Sequence, residues 1–148
     1  ALKAECSMNT EQMAYRCPDA RLLGTGRILG ARLAFYVHAT VERSQIKNAY
    51  VPVAVWDISD ADEERLDRYE GYPSYYGKEE CEVLMDDGTI ITGMIYIMEL
   101  KRGTVPTREY YQGILNAYYE LGFRSEIKEV LDPALTRSIR QAKRTSSR

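Results

Sequence analysis

The amino-acid sequence predicts one α+β domain, a mixed sheet or small β-barrel with flanking helices. Two observations carry that prediction. Strand-like and helix-like segments run in the order strands, helix, strand hairpin, helix, tail, and without strict alternation a doubly wound parallel sheet does not fit. The 148 residues match one ordinary domain, and 45% hydrophobic with 28% charged residues favours a folded core over disorder.

Each element has its own signal. Gly24-Thr25-Gly26 leads into strand-like sequence, so it reads as a tight turn and not as a dinucleotide loop. Arg27 through Val37 reads as strand, broken by Gly30. Ala49 to Asp57 is the strongest strand, rich in β-branched and aromatic residues, with Pro52 at an edge or a strand start. Ser59 and Asp62 form a capping box that opens a helix reaching Glu70, where Gly71 can take the left-handed stop and Pro73 prevents continuation. Lys78 to Met85 and Thr89 to Met98 read as strands joined by Asp86-Asp87-Gly88, a hairpin signal. Thr107 can cap a second helix whose apolar face is Tyr111, Ile114, Leu115, Tyr118 and Leu121, with Gly122 at its end. Ile127, Val130 and Leu131 suit a short amphipathic turn that Pro133 breaks, and the remainder is basic and polar. The domain is therefore read as residues 1–123, with 124–148 a helical basic tail. That tail is either a solvated helix with a frayed end or a contact for an anionic partner or a second copy.

Composition excludes several functions. A net charge of −2 gives no electrostatic reason to bind nucleic acid or an anionic membrane. No apolar run has the length of roughly 20 residues that a bilayer span needs, and the opening Ala1–Glu5 is too short a stretch for a signal peptide. Cys6, Cys17 and Cys81 form neither a disulfide framework nor a zinc motif, so a cytoplasmic location is expected. Cys81 is expected in the core and Cys17 at half burial. His38 is the sole histidine, which leaves a catalytic dyad or a metal site without support. Twelve Tyr against two Phe suit a pocket walled with hydroxyls, or simply half-exposed packing.

The clearest candidate site is Leu66-Asp67-Arg68-Tyr69-Glu70-Gly71-Tyr72-Pro73. Leu66 and Glu70 share a helix face, so an inward Leu66 carries Glu70 inward at the helix end. Desolvation and the negative end of the helix dipole would then raise its pKa and make it a general base near neutral pH. The other reading has Glu70 in solvent beside a capping glycine.

The strings VPVAVWDIS and LDRYEGYP, with Met8-Asn9-Thr10-Glu11-Gln12-Met13, Gly24-Thr25-Gly26 and the Tyr-rich late helix, resemble the γ-glutamylcyclotransferase-like family, also called AIG-type. The similarity runs from about Met8 to Phe123. It implies a small β-barrel with a pocket at one end. The implied reaction converts a γ-glutamyl amine or peptide to 5-oxoproline plus a free amine by intramolecular aminolysis, and needs no cofactor and no metal. The implied partner is a small γ-glutamyl substrate, with no nucleic acid and no membrane, and a homodimer stays open. The family's acid matches Glu70. Tyr76 and Tyr111 match family tyrosines whose hydroxyls line the pocket or orient the carboxylate, or whose rings simply pack, and Lys78 matches a basic position assigned to structure. The family's Tyr-Gly-Ser-Asn loop falls on Ala4, Glu5, Cys6 and Ser7, and all four depart from it. Cys6, Ser7 and Met8 remain the substrate-binding candidates there, although Glu5 brings a side chain and a charge where a glycine is expected. The alternatives are an active enzyme, an impaired member serving as a binding or regulatory domain, or a sequence altered only near its start.

Overall fold

A computed structural model describes residues 3–146. Five strands close into a barrel: β1 (Ala4–Ser7), β5 (Tyr50–Asp57), β2 (Arg21–Leu29), β6 (Tyr76–Met85) and β7 (Ile90–Met98), in that spatial order. Strands β3 (Ala31–Tyr36) and β4 (His38–Arg43) form a separate hairpin. The helices are α1 (Thr10–Arg16), α2 (Asp60–Glu70), α3 (Arg108–Glu120), a short α4 (Arg124–Glu126) and α5 (Asp132–Ser146).

β5 is paired on both edges, by β1 and β2, and is buried on both faces from Val51 to Val55. Val51, Val53 and Val55 point into the barrel with no exposed surface, joined by Val83, Ile28 and Ile95. Pro52 sits opposite Arg27 on β2, in the half of β5 that β1 does not reach, so its missing N–H costs no ladder bond on that side. The barrel closes where β1 meets β7 in parallel, at Glu5 opposite Met94. A second, smaller core of Met13, Cys17, Ile58, Leu66 and Tyr96 lies under α1 and α2.

Several expectations need correcting. Gly24-Thr25-Gly26 is not a turn but the middle of β2, with a bulge between Leu22 and Gly24. Gly26 is required there because a Cβ would stand 2.6 Å from the Leu84 carbonyl oxygen on β6. The stretch from Arg27 to Val37 is two strands in different sheets, because Gly30 turns the chain out of the barrel at φ 66°. Strand β4 carries no strong signal of its own and forms by pairing with β3, from Ala31 opposite Arg43 to Tyr36 opposite His38. Cys17 is buried rather than half-buried, while Cys81 is partly buried against the main core.

Pro133 does not break the chain's helical path. A π-helical turn over Ile127–Leu131 runs from α4 into α5, and Pro133 falls in the first turn of α5. A proline is tolerated in a first turn, where its absent N–H is least needed. Val130, Leu131 and Ala134 are buried in the main core. Arg137 donates to the Leu33 carbonyl at 2.8 Å and Ser138 to the Thr104 carbonyl at 2.6 Å.

Candidate active site

Helix α2 sets the position of Glu70 from both ends. At its start the Ser59 hydroxyl accepts from the Asp62 N–H at 3.1 Å, and the Asp62 carboxylate accepts from the Ser59 N–H at 3.3 Å. Asp62 is fully buried and is also held by the Arg65 guanidinium at 2.6 Å. In mid-helix Leu66 packs into the smaller core. On the side facing the barrel, Lys78 binds Glu63 at 3.0 Å and Asp67 at 2.8 Å, and the Tyr96 hydroxyl donates to Asp67. Lys78 thus ties β6 to α2, the structural task assigned to it.

The helix stops at Gly71, with φ 64° and ψ 38°, where the Tyr72 N–H reaches back to the Asp67 carbonyl at 2.9 Å. A Cβ on Gly71 would come within 2.5 Å of the Tyr75 ring, so close packing as well as backbone angle demands glycine. The Tyr72–Pro73 peptide that follows is cis. This stop leaves Glu70 in the last turn, with its carboxyl turned inward.

Glu70 lines a cavity of about 590 Å³ between the barrel, α1, α2 and the β3–β4 hairpin. Burial raises its pKa from the ordinary carboxylate value to about 7, opposed only by the positive charge of Arg16. The Arg16 guanidinium is itself stacked 3.8 Å over the Tyr69 ring. The solvent-facing alternative for Glu70 does not hold in this geometry.

The hairpin wall is fixed by two tyrosines that grip the backbone of one residue, Ala39. Tyr76 donates its hydroxyl to the Ala39 carbonyl at 2.9 Å, and the Tyr110 hydroxyl accepts from the Ala39 N–H at 3.0 Å. Both rings line the cavity, and burial raises both phenol pKa values, that of Tyr110 to about 12. These hydroxyls therefore stay protonated and shape the wall.

Of the residues singled out in the sequence, Cys6, Ser7, Met8, Glu70 and Tyr76 come together around this cavity. Tyr111 does not. It lies on the neighbouring flank of α3, where its hydroxyl donates to Asp132 at 2.7 Å and its ring packs 5.9 Å from Phe35. Adjacent residues on a helix differ by about 100° in direction, and Tyr110 takes the cavity side. Cys6 lies at the cavity edge, but its Sγ reaches across the barrel to Cys81 Sγ at 3.5 Å, over the space left by Gly93. Ser7 accepts from the Asn9 N–H at 3.2 Å, and Asn9 in turn caps α1 through the Gln12 N–H. Sequence reasoning did not assign His38, Tyr96 and Arg102 to the lining, and it placed Arg68 in the candidate segment without a role. The abundance of tyrosine was the only hint of Tyr96 and Tyr110. Among the described residues no group of three or more His, Cys, Asp or Glu is placed to hold a metal. No helix among them is long and apolar enough to cross a membrane.

Comparison with known proteins agrees with this architecture. The family model for gamma-glutamyl cyclotransferase, AIG2-like, matches residues 7–113. A solved structure titled gamma-glutamyl cyclotransferase is similar with a TM-score of 0.75 and 20% identity, covering 88% of each chain. An uncharacterized Homo sapiens protein is similar with a TM-score of 0.76 and 22% identity, over 86% of this chain and 87% of that one. An AIG2-like protein from Mus musculus aligns at a TM-score of 0.50 and 16% identity, over 66% of this chain and 78% of that one. A search of curated proteins finds no match. At these identities the solved structures speak for the fold, and the family model, covering more than half of the sequence, speaks for descent. The chain belongs to the gamma-glutamyl cyclotransferase, AIG2-like family.

Proposed function

We propose that this protein converts a small γ-glutamyl amine or peptide to 5-oxoproline and a free amine, with Glu70 as general acid/base. The observation that carries the reading is a carboxyl poised at about 7 on the wall of a cavity of about 590 Å³. That volume suits a small ligand, and that pKa suits proton transfer near neutrality. Family membership supports the reaction class.

In this mechanism Glu70 takes a proton from the substrate's α-ammonium. The freed amine attacks the γ-carbonyl carbon, forming a C–N bond and closing a five-membered ring. The ring nitrogen then carries two protons. It keeps one, and the other goes to the nitrogen of the original γ-amide bond, which breaks. The proton held on Glu70 leaves with the released amine as its ammonium. No water, cofactor or protein nucleophile enters the balance. The protein's contribution is the base and a folded-back substrate geometry, which turns a flexible encounter into oriented attack. Arg68 and Arg102 on the lining supply positive charge for the substrate's α-carboxylate. Tyr76 and Tyr110, locked on Ala39, hold the wall against which the γ-glutamyl chain folds.

The decisive experiment measures 5-oxoproline release from a panel of γ-glutamyl compounds by the parent and by Glu70→Gln. A fall of about a hundredfold or more in the variant is expected, the scale of a lost general base. Equal activity in both removes Glu70 from the chemistry, and none in a folded parent removes the reaction. A second reading, a binding or regulatory domain, is favoured by one observation: the Glu5 side chain, where the resemblance expects a glycine, is buried. The cavity nevertheless remains open, with Glu70 and tyrosine rings on its wall.

A further inference from the structure

Glu5 is a second carboxyl on the same cavity, and nothing in the proposed reaction uses it. It lies on β1, where strand alternation sends Ala4 and Cys6 into the main core and turns Glu5 to the other side, towards α2. Only 3% of it is exposed, and among the described residues its Oε2 has no hydrogen-bond partner. The groups around it are Glu63 and Glu70 from α2, Lys78 and Cys81 from β6, Tyr96 from β7, and Cys17 beyond α1. The only cation among these is Lys78, which is already committed to Glu63 and Asp67. A buried carboxylate without a cation is costly, whereas a neutral carboxylic acid keeps an O–H to donate. Oε2 is enclosed, so a bound molecule can meet only the other carboxyl oxygen, and an O–H carried there without a protein acceptor calls for one from the cavity side.

We propose that Glu5 is a ligand-recognising residue of this cavity, a neutral carboxyl whose O–H donates to an acceptor oxygen, carboxylate or carbonyl, of the bound small molecule. The direction of its pKa agrees: burial first, and then the like charge of Glu70, push it well above the ordinary carboxylate range. Glu70, the other carboxyl on this cavity, has its own pKa raised by burial to about 7. A carboxylic acid kept neutral by its surroundings in order to donate is an established catalytic device in other folds. The proposal deepens the cyclotransferase reading and rests on its view of the cavity as a small-molecule site.

The test does not require turnover. The probe is 5-oxoproline, which carries both a carboxylate and a carbonyl, titrated into the parent, Glu5→Gln and Glu5→Met. Gln keeps the length and an N–H donor, so its Kd stays within about threefold of the parent. Met keeps the length without a donor, so its Kd rises roughly tenfold or more, the scale of one hydrogen bond. At about pH 8 the infrared difference between parent and Glu5→Gln contains the carbonyl stretch of a neutral carboxylic acid, well above the free carboxyl's ordinary titration range. Adding 5-oxoproline moves that band to lower frequency. Thermal melting checks the fold: Glu5→Met is at least as stable as the parent, because it removes an unpaired buried polar group. No neutral-acid band, no binding by the parent, or equal binding by Glu5→Met each overturns the proposal. So does a parallel loss of stability and binding in both variants, which is the mark of a purely structural Glu5. Failure of the cyclotransferase reading shows separately, as absent turnover in a parent that still binds the probe.

Discussion

Glu70 owes its properties to where α2 ends. A glutamate one turn earlier on an exposed face would titrate as an ordinary carboxyl, whereas burial at the cavity wall moves this one from 4.5 to about 7. Two consequences follow from that raised value. As a base it must be unprotonated, so kcat/KM should rise with pH through about 7, and the acidic limb should vanish in Glu70→Gln. Between 4.5 and about 7 the folded protein retains a proton that the unfolded chain has released. The native state then binds more protons, so stability falls as pH rises across that window. The full cost is present above about 7 and absent below 4.5. Glu70→Gln, which cannot titrate, should therefore gain stability relative to the parent as pH rises, by about 3 kcal/mol across the window. Urea melts of both proteins at three pH values check this, and a difference independent of pH would show that Glu70 is not desolvated.

At the scale of elements, what was legible in the sequence is what local chemistry specifies. Ser59 and Asp62 announced the start of α2, Gly71 its end, and Asp87-Gly88 the β6–β7 hairpin, because caps and turns are settled by neighbours in sequence. Glu70 was legible for the same reason. The remainder depends on contacts that sequence does not display. β4 exists because β3 lies beside it, and the turn between them rests on Val37 at φ 65°, a residue that gives no turn signal. Periodicity found α3 but pointed to Tyr111, because the core face and the cavity face of that helix are adjacent, and only packing shows that Tyr110 takes the latter. The burial of Glu5 depends on α2, which covers that face of β1 and is far away in sequence. The two ends of α2 should accordingly respond differently to mutation. Ser59→Ala removes a cap remote from the cavity and should cost about 1 kcal/mol of stability with kcat little changed. Gly71→Ala forces a Cβ to within 2.5 Å of the Tyr75 ring at a left-handed φ, and should cost at least about 1–2 kcal/mol. Because relief of that clash moves the helix end, kcat should fall as well, and paired urea melts and turnover assays separate the two effects.

For the whole molecule, the arrangement of cores explains why a cavity persists beside so short a barrel. The main core fills the barrel and extends under α3 and α5, while the smaller one seats α1 and α2, and the cavity opens where these layers meet the β3–β4 hairpin. The C-terminal segment belongs to the first of these layers by burial. Leu131 has no exposed surface and lies in the π-helical turn, and α5 packs against β3, the strand that carries the cavity's hairpin. If that segment is part of the cooperative fold, Leu131→Ala should cost about 2–5 kcal/mol, the range for emptying a packed aliphatic site. Ile139→Ala, at a position 38% exposed on the same helix, should change stability by no more than roughly 0.5 kcal/mol. The pair distinguishes an integral helix from an appended one. In an appended helix both substitutions would leave the main unfolding transition in place. In an integral one Leu131→Ala shifts that single transition and, by loosening β3, weakens the grip of Tyr76 and Tyr110 on Ala39, so turnover should fall with it.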